Sequence, residues 1–178
     1  AVRARDVNDL ESADGLVSKD HRIINVDKKN ETIYVPTKSV KSILKAKEVE
    51  MVLHEMWCIA NLRVKEIKVM GDSAAITFQQ PESHIHFMHP WPSPMVTNDG
   101  HNSSFYFTNA KELMDEPGEW YLDDRAGKIY YLPKKGEDMN HADVEAPAME
   151  TLVHAIGTPD NPVKNITFDG VNFSYATW

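Results

Sequence analysis

The chain has 178 residues, of which 42% are hydrophobic and 26% charged, and this near-average globular composition argues against a wholly disordered polypeptide. It carries 19 basic and 27 acidic residues, for a formal net charge of −8. This acidic balance argues against nucleic-acid binding through phosphate neutralisation, which needs clustered basic residues, and no apolar run is long enough for membrane insertion.

The first third of the chain is predicted to be a hairpin followed by a short helix. Two β-rich runs, at 22–26 and 32–35, flank a polar turn at 27–30. Pro36 ends the second run, and Thr37 is predicted to cap a short helix near residues 38–47, where apolar residues recur at helical spacing.

Residues 49–78 are predicted to form an antiparallel meander because apolar and polar residues alternate along three consecutive runs. Near Lys65 the apolar residues change from even-numbered to odd-numbered positions, and this change predicts a β-bulge. Trp57, like Trp120 further on, lies within a strand pattern and is expected in the core. The single cysteine, Cys58, has apolar neighbours and is expected to be a small buried side chain.

Residues 81–104 contain four prolines and four histidines, and this density predicts a long ordered loop. Three of its histidines, His84, His86 and His89, resemble a zinc ligand set by spacing. No standard motif such as His-Glu-x-x-His accompanies them, and histidines in proline-rich loops are often simply hydrogen-bonded. We therefore expect neither a metal nor another cofactor in this chain.

A capping pattern at 109–112 predicts a second short helix near residues 110–115, and Pro117-Gly118 stops it. The aromatic runs 120–122 and 129–132 then predict the clearest hairpin of the chain. Nearby carboxylates are assigned to turns and caps rather than to catalysis: Asp115, Glu116, Glu119, Asp123 and Asp124.

The C-terminal segment is predicted to be about one turn of a parallel β-helix. A strand is expected at Thr151–Val153. Two further short strands are expected to meet at the Asp169-Gly170 corner, with inward side chains Ile166 and Phe168 before it and Val171 and Phe173 after it. Such coils need about three or more stacked turns for stability, so this chain is expected to be a piece of a longer protein. The fold class is therefore mainly β, with a β-rich accessory domain at 1–150 and the start of a coil at 151–178.

Three strings carry a family resemblance: Phe107 to Asp123, Gly127 to Pro133 and Asn161 to Gly170. They resemble bacterial right-handed parallel β-helix proteins of the pectate-lyase-like superfamily, and most of all the secreted glycoside hydrolases grouped in glycoside hydrolase family 141. The run 50–57 is similar to the β-rich insert that such proteins carry.

This resemblance implies an extracytoplasmic enzyme acting on a poly- or oligosaccharide, with its catalytic carboxylates in later coils. The catalytic residues within this chain are accordingly unknown, and the chain alone is expected to be inactive. A stand-alone carbohydrate-binding module and a purely structural insert remain as alternatives. For sugar contacts the candidates are the ring side chains of the proline-rich loop: His84, His86, His89, Trp91 and His101.

Overall fold

The computed structural model describes residues 2–6 and 21–176, which fall into two compact units, Ala1–Gly136 and Glu137–Trp178. The two units divide at Gly136, and the division into domains 1–150 and 151–178 stays a prediction. All strands of the described residues belong to the first unit. They are β1 (Val2–Arg3), β2 (Asn25–Asp27), β3 (Thr32–Pro36), β4 (Glu50–Glu55), β5 (Cys58–Met70), β6 (Ser73–Phe78), β7 (Phe105–Thr108), β8 (Glu119–Asp123) and β9 (Lys128–Tyr131).

Six of these strands form one antiparallel sheet in the order β2-β3-β6-β5-β4-β7. The long strand β5 pairs with β4 through its first half, where Glu50 faces Arg63 and Glu55 faces Cys58. Its second half pairs with β6, and the register shifts between Val64 and Glu66. The predicted meander and its bulge are therefore confirmed.

The second sheet joins the N-terminal strand to the aromatic hairpin. β1 runs parallel to β8, and β8 pairs antiparallel with β9, so that Trp120 faces Tyr131. Gly127 adopts a φ of 59° in the connecting turn, a conformation that glycine reaches without steric cost. This hairpin is confirmed as predicted, and so is the earlier one formed by β2 and β3.

The core of the first unit is built from inward rows of the larger sheet. Because side chains alternate across a strand, every second residue reaches the interior. The fully buried side chains of these rows are Ile33, Val35, Met51, Leu53, Ala74, Ile76, Phe105 and Phe107. Burying a large side chain of this kind contributes roughly 1.5–3 kcal/mol, so this face provides the main stabilisation of the unit.

The proline-rich segment is not the uninterrupted loop that the sequence predicted, because it contains the helix α1 (Glu82–Met88). Its prolines flank the helix rather than interrupt it: Pro81 lies at the N-cap, and Pro90 follows the end. Proline is tolerated at a helix start, where its missing N–H is not needed. Phe87 packs against Phe78 of β6, and Glu82 forms a bidentate ion pair with Arg63 of β5. These contacts hold α1 on the sheet.

The two predicted short helices are only 3₁₀ turns, Thr37–Val40 and Lys111–Leu113. Neither predicted capping residue caps its turn. Thr37 donates its hydroxyl to the carbonyl of Gly71, and Asn109 donates its side-chain amide to the carbonyl of Glu48. Asn109 also adopts a φ of 62°, which places it outside a helix start and explains why the capping pattern failed.

The second unit, from Glu137 onwards, contains no strand among its described residues, so the strand predicted at Thr151–Val153 is wrong. One isolated parallel bridge joins Met149 to Ala176. The predicted inward residues of the coil, from Ile166 to Phe173, are exposed, and residues 163–175 have no regular structure. The only helices described are too short and too polar to cross a membrane.

Candidate functional site

The hairpin between β4 and β5 ends in a two-residue turn, Met56-Trp57, closed by the facing pair Glu55 and Cys58. Trp57 has a φ of 68°, which strains any residue with a side chain. Its side chain is 85% exposed. The expectation that Trp57 lies in the core is therefore wrong, while Trp120 is half-buried.

A second tryptophan meets Trp57 at this tip. Trp91 follows the end of α1 by three residues, and its ring lies 5.0 Å from the ring of Trp57 at an angle of 87°. Trp91 is itself 51% exposed. The two rings, called the indole pair below, therefore form an edge-to-face contact that stabilises their mutual orientation while both remain open to solvent.

A buried polar contact lies beneath the indole pair. Glu55 Oε1 lies 3.3 Å from Nε2 of His86, and the two side chains are 0% and 11% exposed. The other oxygen of Glu55 accepts a hydrogen bond from the Cys58 thiol at 3.1 Å. Burial and the adjacent carboxylate together raise the pKa of Cys58 to about 11, so this thiol stays protonated at neutral pH and is a poor nucleophile.

The structure does not gather the histidines of the proline-rich segment at one point. His84 pairs with Glu31 at 3.0 Å, and His101 pairs with Asp99 at 3.1 Å. Hydrogen bonds from Thr97 and His101 lower the pKa of Asp99 to about 2. His86 faces Glu55, and His89 is exposed just past the helix end.

Of the five side chains that the sequence proposed for sugar contact, only Trp91 thus lies in the indole pair. All five stay predictions as sugar contacts. A zinc site from His84, His86 and His89 has no support in the fold, since the described residues contain no group of three His, Cys, Asp or Glu side chains placed to hold a metal.

Two of the five carboxylates near the aromatic hairpin, Glu119 and Asp123, bind the backbone as predicted, and the turn or cap roles of the other three stay predictions. Glu119 is 2% exposed and accepts hydrogen bonds from the backbone N–H groups of Arg5, Asp115 and Glu116. Asp123 accepts from the N–H of Ala126 in the β8–β9 turn. These side chains therefore satisfy turns and strand ends, which is a structural rather than a catalytic use.

Sequence reasoning separated the alternating run that ends at Leu53 from the one that begins at Leu62, but it still assigned Trp57, which lies between them, to a strand pattern. The alternation breaks between Leu53 and Leu62, and that break was the available signal for a reversal of the chain. The contact of Trp57 with Trp91 had no local signal at all, since it depends on how α1 packs on the sheet.

Comparisons with known proteins agree with this architecture. A protein-family model described as the GH141 insertion domain matches residues 1–134. A solved structure named "Glycoside hydrolase" is similar over 100% of this chain, with 53% sequence identity and a TM-score of 0.89. This chain covers 30% of that protein's chain. No curated protein matches.

Proposed function

The chain belongs to the GH141 insertion domain family, and from that premise we propose that it is the non-catalytic β domain of a secreted glycoside hydrolase that degrades polysaccharides. The family match over residues 1–134 is the observation that carries this proposal. The similar glycoside hydrolase chain is more than three times as long as the region it shares with this protein, which leaves ample length for a separate catalytic part.

The carboxylates of the described residues support a non-catalytic role. Hydrolysis of a glycosidic bond usually needs two carboxyl groups about 5–10 Å apart and open to the substrate. Glu119 is buried under three backbone N–H groups, and Glu55 is buried against His86 and Cys58. These two side chains are closed to a substrate, and we propose that the catalytic pair lies elsewhere in the parent enzyme.

The second unit supports the proposal that the parent continues as a parallel β-helix. The bridge between Met149 and Ala176 is parallel, and it closes a single turn of chain in the way that one coil of such a helix does. Within this turn Phe168 contacts Phe173 edge-to-face at 5.2 Å, and Asn165 and Gly170 take the positive φ values that corners need. The exposed apolar rows of 166–173 would then be covered by the next coil.

Secretion and the polysaccharide substrate belong to the proposal as well, and the family resemblance supports both. A secreted enzyme would meet polysaccharides outside the cytoplasm. The alternative is a purely structural insert, which stabilises the coil without touching substrate. The experiment must distinguish this alternative from a domain that affects polysaccharide degradation.

The test compares the parent enzyme with and without this domain. We expect the parent to release reducing sugar from plant polysaccharides and the 178-residue chain alone to release none. Replacement of residues 21–136 by a short linker should leave a folded coil with altered polysaccharide activity. Hydrolysis by the isolated chain would overturn the non-catalytic assignment, and full parent activity after the replacement would favour the structural alternative.

A further inference from the structure

We propose that the indole pair, Trp57 with Trp91, is a carbohydrate-binding subsite that stacks against the apolar face of a pyranose ring. This inference rests on the proposed function, because a polysaccharide-degrading parent brings a glycan to this domain. Nothing in the family match assigns a ligand to this tip.

The first argument is that the tip holds a tryptophan where the backbone disfavours one. A two-residue turn with a positive φ at its second position favours glycine or asparagine. Trp57 occupies that position at a φ of 68° and leaves 85% of its side chain in water. Backbone strain and an exposed ring both reduce stability, and strain of this kind concentrates at functional sites.

The second argument is that the segments carrying the two rings approach each other at buried side chains. Glu55 lies two residues before Trp57, and His86 lies five residues before Trp91. Their buried contact at 3.3 Å therefore joins the hairpin tip to the helix that delivers the second ring. Neither Glu55 Oε1 nor His86 Nε2 has a hydrogen-bond partner among the described residues, so two polar groups are buried between these segments at a cost in stability.

The third argument concerns the size and surroundings of the surface. A specific protein partner buries about 800 Å² on each side, whereas the two indoles by themselves offer only a few hundred. Polar groups lie close by: Lys28 donates a hydrogen bond from Nζ to the Ser93 hydroxyl, two residues from Trp91. An aromatic face with hydrogen-bonding neighbours suits a sugar ring and its hydroxyls better than a protein surface.

Affinity gel electrophoresis of the 178-residue chain in soluble polysaccharides tests this directly. Gels with a neutral glycan (xyloglucan) and an acidic one (polygalacturonate) show which ring substituents the subsite accepts. We expect retardation by at least one of them, weakened about tenfold in Trp57→Ala and in Trp91→Ala, as expected from the loss of about 1.4 kcal/mol of stacking. Met70→Ala is the matched control, because Met70 is 51% exposed at the other end of β5.

Three results would overturn the proposal. One is unchanged retardation of both tryptophan variants, and another is an equal loss in Met70→Ala. The third is protection of the indole pair from N-bromosuccinimide in the ligand-free parent, which would mean that the parent or a protein partner covers it. If the parent hydrolyses polysaccharide but this chain binds none, the subsite fails and the proposed function stands. If this chain binds glycan but the parent hydrolyses none, the proposed function fails instead.

Discussion

Glu55 and His86 meet inside the first unit with 3.3 Å between Oε1 and Nε2, although they belong to a hairpin end and to a helix. This contact brings the end of β4 close to α1, which other contacts with β5 and β6 also hold on the sheet. Buried pairs of this kind add little net stability, because the cost of desolvation offsets their attraction. Removing one partner lowers the free energy of unfolding, because the other group then stays buried without compensation.

Replacement of His86 by alanine should therefore destabilise the chain strongly. We expect the free energy of unfolding to fall by about 2 kcal/mol, since the substitution removes a nearly buried ring that packs edge-to-face on Phe87 and lies 3.3 Å from Glu55. Urea denaturation followed by tryptophan fluorescence measures the change. The matched control is His84→Ala on the same helix, whose exposed pair with Glu31 should contribute less than about 1 kcal/mol. Equal effects of the two substitutions would contradict the special role of His86.

The thiol of Cys58 should react slowly in the folded chain. Its pKa is raised from 9.0 to about 11, so at pH 8 the thiolate fraction, and with it the rate of alkylation by iodoacetamide, should be about a hundredfold lower than for an ordinary thiol. Glu55→Gln should accelerate the reaction, because it removes the charge that disfavours the thiolate. The urea-unfolded chain provides the reference rate, and a folded chain that reacts equally fast would refute this prediction.

Glu119 should be the most sensitive carboxylate of the second sheet. Glu119→Ala leaves three backbone N–H groups without an acceptor in a buried setting, and we expect a loss of about 3 kcal/mol of unfolding free energy. Glu116→Ala, at an exposed position of the same turn, should change stability by less than about 0.5 kcal/mol. Thermal melts of both variants decide the matter, and a mild effect of Glu119→Ala would show that water replaces its oxygens.

The ion pair of Arg63 with Glu82 should make a small contribution that depends on pH. Its hydrogen bonds lower the pKa of Glu82 below the ordinary value of 4.5 and raise that of Arg63. A lowered carboxyl pKa gives stability that is present above pH 4.5 and is lost as the pH falls through the lowered value. Glu82→Gln should thus reduce stability at pH 7 by at most about 1 kcal/mol, because Arg63 is largely exposed, and by less at pH 3. Glu66→Gln on β5 is the control, and a pH-independent difference would contradict the assignment.

The antiparallel sheet was predictable from sequence because its signals are local. Strand alternation, the parity shift near Lys65 and the turn residues of the aromatic hairpin all reflect a backbone whose side chains face alternately inward and outward. The buried rows of β3, β4 and β6 follow directly from that alternation.

Helix α1 and the indole pair were not predictable in the same way. Proline density was taken to exclude a helix, yet seven residues fit between Pro81 and Pro90, and their stability comes from packing on β5 and β6. The Trp57–Trp91 contact joins a turn to the segment after that helix, so only the tertiary fold brings it about.

Trp57 itself offers the sharpest test of a trade between stability and binding. Its φ of 68° costs about 1–2 kcal/mol in any residue with a Cβ atom, whereas glycine adopts it freely. Trp57→Gly should therefore be more stable than Trp57→Ala by about 1 kcal/mol, since both variants lose the ring but only glycine relieves the backbone. Chemical denaturation of the pair isolates the backbone effect, and the same two proteins should be equally impaired in polysaccharide binding. If alanine were as stable as glycine at this turn, the tip would be unstrained, and the exposed tryptophan would lose the first of the three arguments for a binding role.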